Sequence, residues 1–107
     1  MEPILPIIVN TPEGKRKINP DEIMYLRAEG KRTEINCIDN QVITANYILT
    51  WFEGRLPEKF FFRSHKSFIV NVLFIKTFTC DTVVMNSLTI IPVGRQYRET
   101  VRKYLTC

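Results

Sequence analysis

Between Leu5 and Val93 the sequence keeps switching between short runs of β-forming residues and turn residues, and that rhythm excludes most folds. The runs LPIIV (5–9), IMYLRA (23–28), TEINCI (33–38), LFIKTFTC (73–80), TVVMN (82–86) and LTIIPV (88–93) are rich in β-branched and aromatic residues. Between them, PEG (12–14), EGK (29–31), DN (39–40), CD (80–81) and NS (86–87) supply turn chemistry at close intervals. Strands joined so tightly pair with their neighbours, so the expectation is a mainly β fold of short antiparallel strands in packed sheets. Pro92 has no N–H to donate, which places its run at a sheet edge or a strand end.

Two segments break the pattern. In NYILTWFEGRL (46–56), Asn46 is suited to cap a helix whose Tyr47, Ile48, Trp51 and Phe52 recur at helical spacing. In RQYRETVRKYL (95–105), Tyr97, Val101, Tyr104 and Leu105 share one face and Arg98, Arg102 and Lys103 lie off it. One or two short helices are therefore expected beside the sheets. Nothing divides the 107 residues, so one domain over 1–107 is expected, with 1–10 an N-terminal strand or tail.

No run approaches membrane-spanning length and the first residues lack the pattern of a secretory signal, so a soluble, cytoplasmic protein is expected. Cys37, Cys80 and Cys107 show no metal-ligand spacing; no metal, cofactor or disulfide framework is expected, and Cys37 and Cys80 read as small core residues.

The stretch FFRSHKSFIVN (61–71) is strongly apolar except at its centre, where Arg63, Ser64, His65, Lys66 and Ser67 interrupt it. One reading is an ordinary exposed turn between core strands. The other is a recognition element, its aromatic flanks anchored in the core and its basic centre offered to an anionic partner. A formal charge of +4 favours anionic partners. The basic residues cluster at Lys15 to Lys17, Lys31 with Arg32, Arg63 with Lys66, Arg95 with Arg98, and Arg102 with Lys103.

DEIMYLRAEG (21–30), FFRSHKSFIVN, IKTF (75–78) and LTIIPVGRQYRETV (88–101) together resemble the LytTR family of bacterial DNA-binding domains, over nearly the whole chain. The resemblance implies a LytTR-like β sandwich that regulates transcription as the output module of two-component response regulators. Loops would read adjacent major grooves of promoter direct repeats in double-stranded DNA. It implies Arg32, Lys66 and Arg95 as base contacts, with Lys31, Arg63, His65, Ser67 and Arg98 at phosphates or in support. Gly94 stands where the family usually has serine. A second copy on the DNA, and a receiver domain or sensor system elsewhere, are implied partners.

Bland roles compete at several positions. Arg63 suits the solvated face of an alternating strand, His65 a turn-ordering hydrogen bond, and Arg98 and Arg102 the polar side of a helix. Asn71 suits local turn capping. Phe60, Phe62, Phe68, Trp51 and Tyr97 read as core before stacking platforms. Three other functions remain open at this level: a single-stranded nucleic-acid-binding β-barrel, a protein-interaction module with a basic face, and an enzyme built on His65 with Ser64 or Ser67. The last is disfavoured, since no third group orients the imidazole, and no enzymatic activity is expected.

Overall fold

The computed structural model describes residues 5–106. Its strands form three antiparallel sheets. The central one has five strands, in the order β5 (Val42–Ala45), β4 (Arg32–Cys37), β3 (Ile23–Glu29), β7 (Phe68–Asn71) and β6 (Phe61–His65). A hairpin of β1 (Ile7–Thr11) and β2 (Gly14–Ile18) lies beside β5, and a three-stranded sheet joins β8 (Ile75–Phe78), β9 (Thr82–Met85) and β10 (Ile90–Pro92). The helices are α1 (Leu49–Glu53) and α2 (Arg98–Tyr104). The mainly β, antiparallel expectation holds.

The central sheet is buried on one face along its width and, at β6 and β7, on both, because these two strands carry apolar residues at consecutive positions. Neighbouring residues of a strand point to opposite faces. Thus Phe61 and Ile69 enter a core closed by α1 and the β1–β2 hairpin, with Val9, Ile18, Leu26, Ile35, Phe52 and Leu56. Phe62 and Val70 enter a second core under the three-stranded sheet and α2, with Val83, Met85, Ile91, Val101 and Leu105. The doubled apolar positions of FFRSHKSFIVN therefore join two cores, and the loop at its centre is anchored from both.

Asn71 does more than cap. Its Oδ1 accepts the Leu73 N–H at 2.9 Å, closing a 3-10 turn over Val72–Phe74, and its Nδ2 donates to the Ile23 carbonyl at 2.9 Å. That turn occupies the start of the strand expected at 73–80, which begins only at Ile75. Pro92 ends β10, an edge strand, as expected.

The helix expected over 46–56 is shorter than its pattern. The Asn46 N–H is drawn to the Asn10 carbonyl at 2.8 Å, α1 starts after Ile48 with no side-chain cap, and Gly54 ends it before Pro57. Tertiary pairing to β1 overrides local helical spacing. In the 95–105 segment a 3-10 turn at Arg95–Tyr97 precedes α2, and Val101 and Leu105 are buried as expected.

Cys37 is buried in the core, and desolvation pushes its thiol up to about 11. Cys80 departs from expectation: it is half-buried at the turn between β8 and β9, because the strand ends at Phe78. Cys107 lies outside the described residues. Among the described residues no helix is long and apolar enough to cross a membrane.

Candidate nucleic-acid interface

Because β3 pairs antiparallel with both β4 and β7, the turns leading into β4 and into β7 emerge at the same end of the central sheet. The Ala28 N–H donates to the Ser67 carbonyl at 2.8 Å, locking the two turns side by side. Gly30, at φ +61°, lets the first turn close tightly before Lys31 and Arg32. A third segment joins through the Gly94 N–H, which donates to the Ser64 carbonyl at 2.8 Å and brings Arg95 beside the β6–β7 turn. Arg32, Lys66 and Arg95, far apart in sequence, therefore sit at one end of the fold. Two strand spacings separate β4 from β7, about 10 Å.

The β6–β7 turn is ordered from within. His65 Nδ1 accepts the Ser67 N–H at 3.1 Å, and the ring meets Phe68 edge-on at 5.9 Å. The imidazole thus orders the turn. Its Nδ1 is committed to a backbone donor, which leaves the Ser64 and Ser67 hydroxyls without that nitrogen as a base. The Ser64 hydroxyl is itself buried with no partner among the described residues.

Arg63 is turned away from a solvated strand face and stands behind the turn, in a supporting place. Its Nε donates to the His65 carbonyl at 3.2 Å, Nη2 to the Lys66 carbonyl, and Nη1 to Thr50 Oγ1 at 3.2 Å and to the Glu53 carboxylate. The guanidinium ties two carbonyls of the turn to α1, and only 15% of the side chain is exposed. Charged hydrogen bonds of this kind are worth about 1.5–3 kcal/mol. Arg63→Ala is accordingly expected to lower the melting temperature and to accelerate hydrogen exchange at the Ser67 amide. Exchange at Ser67 as slow as in the wild type would refute the role of Arg63 in holding the turn.

The remaining candidates divide by what holds them. Lys31, Arg32, Lys66 and Arg95 are exposed, and none of their side chains bonds to a protein acceptor among the described residues. Arg98 instead donates to Asp81 Oδ1 at 2.5 Å. Both partners are substantially exposed, so the pair contributes little to stability. Arg27 is engaged by Glu34 at 3.0 Å, and that guanidinium holds the carboxyl below its usual range. Gly94 fits because a Cβ there would stand 3.2 Å from Tyr97 Cδ2 and 3.4 Å from His65 Cδ2. A glycine lets the third segment press against the turn.

The aromatic residues are structural in large part. Phe62 is buried; Phe60, Phe68, Trp51 and Tyr97 are half-buried. Tyr47 stacks on Trp51 at 3.8 Å and the Arg55 guanidinium lies 4.1 Å from its ring, so its ring is engaged by protein.

The chain has known relatives. The profile of the LytTr DNA-binding domain matches residues 13–106. The chain belongs to this family. A solved LytTr DNA-binding domain of a Bacillus cereus response regulator superposes with a TM-score of 0.80 at 33% identity, over 96% of this chain and 98% of that one. The sensory transduction protein LytT of Oceanobacillus iheyensis is 34% identical over 68% of this LytTr chain and 30% of its own length. The transcriptional regulatory protein NatR of Bacillus subtilis is 33% identical over 71% of this chain and 32% of its own length. The LytTr chain thus spans about a third of these curated relatives.

Proposed function

We propose that this LytTr domain reads duplex DNA with the three turns gathered at one end of its central sheet, as the output module of a transcriptional regulator. The observation that carries the reading is that gathering: Arg32, Lys66 and Arg95 are exposed and, among the described residues, free of protein acceptors where the sheet presents them together. Arg95 and Arg32 offer planar forks suited to guanine O6 and N7, while Lys66 offers a mobile point charge for a base acceptor or a phosphate. The 10 Å between the turns corresponds to about three base-pair steps, so Arg32 addresses bases that Lys66 and Arg95 do not. Each direct repeat takes one copy of the domain, and the turns of the two copies enter neighbouring major grooves.

Lys31 and Ser67 meet phosphates, as does Arg98 once it leaves Asp81. His65 and Arg63 support the turn from behind. Residues 1–107 act as one module in the cytoplasm, without enzymatic activity, and phosphorylation signals reach it from a receiver domain or sensor system.

Selection of bound sequences from a random duplex pool, then titration of the selected duplex, a scrambled duplex and its single strand, tests this reading. The expected result is a motif in spaced direct repeats, bound more tightly than either control. Equal, salt-sensitive binding to all three would leave only a generic basic surface and move the reading to an acidic protein partner. Preference for the single strand would favour stacking recognition instead.

A further inference from the structure

The β1–β2 hairpin carries the densest basic run of the chain, Lys15, Arg16 and Lys17, and no role so far described uses it. Its position is set by two bonds: the Asn46 N–H donates to the Asn10 carbonyl at 2.8 Å, and the Asn10 N–H donates to the Tyr47 hydroxyl at 3.3 Å. Lys15 pairs with Asn10 across the hairpin, and Asn46 follows Ala45, which pairs with Thr33 beside Arg32. Lys15 is therefore held at the same end of the fold as the three turns. Lys15, Arg16 and Arg32 line one open groove between the hairpin and β4–β5. Its charged lining is those three cations against one carboxylate, Glu13.

The arginines sort the same way. Arg27, Arg55, Arg63 and Arg98 are engaged with protein acceptors, whereas among the described residues Arg16, Arg32, Arg95 and Arg102 have no side-chain acceptor. Arg16 is thus an exposed, uncommitted cation sharing a groove with Arg32.

We infer that the β1–β2 hairpin is a fourth DNA contact, in which Lys15 and Arg16 bind backbone phosphates flanking the bases addressed by Arg32. This rests on the duplex reading proposed above and extends its footprint to the β5 side of the sheet. The contact adds affinity and fixes orientation without adding sequence preference, because phosphates are alike at every step. The groove is open to solvent and carries the charge to hold a strand backbone. A basic edge strand also deters edge-to-edge pairing, and among the described residues β2 pairs with β1 alone; the test separates the two roles.

The test compares the wild type, Lys15→Ala/Arg16→Ala, and a control of equal charge, Lys59→Ala/Lys103→Ala. The control residues lie at the far end: Lys59 precedes β6 where it leaves that end, and Lys103 adjoins Tyr104, whose hydroxyl bonds the Glu58 carbonyl. Each protein is titrated with the duplex selected by the wild type at several salt concentrations. Two lost phosphate contacts should reduce the slope of log affinity against log salt by about 1.8. The deficit at 50 mM salt should then exceed that at 200 mM by roughly 12-fold, while the selected motif stays the same. A slope equal to that of the control overturns the hairpin contact and leaves β2 as a protected edge. A changed motif with an unchanged slope overturns it as well, since it would mean base readout. A wild type that selects no motif overturns the duplex reading itself, a failure visible before any variant is made.

Discussion

Phe52→Ala is expected to destabilise the protein by about 3–5 kcal/mol, the range for emptying a large aromatic site that cannot collapse. Phe52 is fully buried at the centre of the core between α1 and the central sheet. It meets Trp51 edge-on at 5.0 Å and Tyr47 at 6.2 Å, so its loss removes aromatic contacts as well as area. Its helix has only five residues and no side-chain cap, and cannot hold its place by intrinsic propensity. A domain of this size has about 5–15 kcal/mol in total, so the variant should unfold at much lower urea with an unchanged m-value. Thr50 and Glu53, which hold Arg63, sit on the same helix, and the β6–β7 turn should loosen in step. Phe68→Ala should cost less, because Phe68 is only half-buried against Tyr25 and His65. A urea midpoint for Phe52→Ala equal to wild type would mean that α1 does not seal this core.

The β architecture was legible because turn residues and β-formers alternate along most of the chain from Leu5 to Val93, with a break at 46–56. What escaped had weak local signals. β2 reads GKRKI, with one buried residue in five, and forms because β1 pairs with it rather than because it is apolar. β5, VITA, is too short for its alternation to stand out. Asn46 looked like a cap because capping is a local property, whereas its backbone bond to Asn10 spans the hairpin.

For the candidate site, resemblance implied Lys66 as a base contact and Arg63 at a phosphate or in support, but nothing local in the sequence showed what would hold Arg63. Only the alternation of β6 turns Arg63 back toward α1 and leaves Lys66 exposed at the tip of the turn. The kinship of Lys15 and Arg16 with Arg32 was likewise invisible, since it depends on a hairpin folding against β5.

Arg95→Ala should weaken binding to the selected duplex by about 5- to 150-fold, the equivalent of the 1–3 kcal/mol carried by a good bidentate contact. Stability should stay near wild type, because Arg95 is exposed and its side chain has no protein acceptor among the described residues. The affinity loss alone does not separate base readout from phosphate attraction, but Arg95→Lys does. Lysine keeps the charge and loses the planar fork. If Arg95 reads a base, the lysine variant should bind nearly as weakly as the alanine one, with preference relaxed at a single position of the repeat. If it only meets a phosphate, lysine should restore most of the affinity with every base preference intact, while alanine should lower the salt slope by about 0.9. The fixed backbone bond from Gly94 to Ser64 favours the first outcome, because it seats Arg95 on the sheet rather than on a free loop. Full rescue by lysine would remove Arg95 from the base-reading set and leave Lys66 and Arg32 to account for the motif.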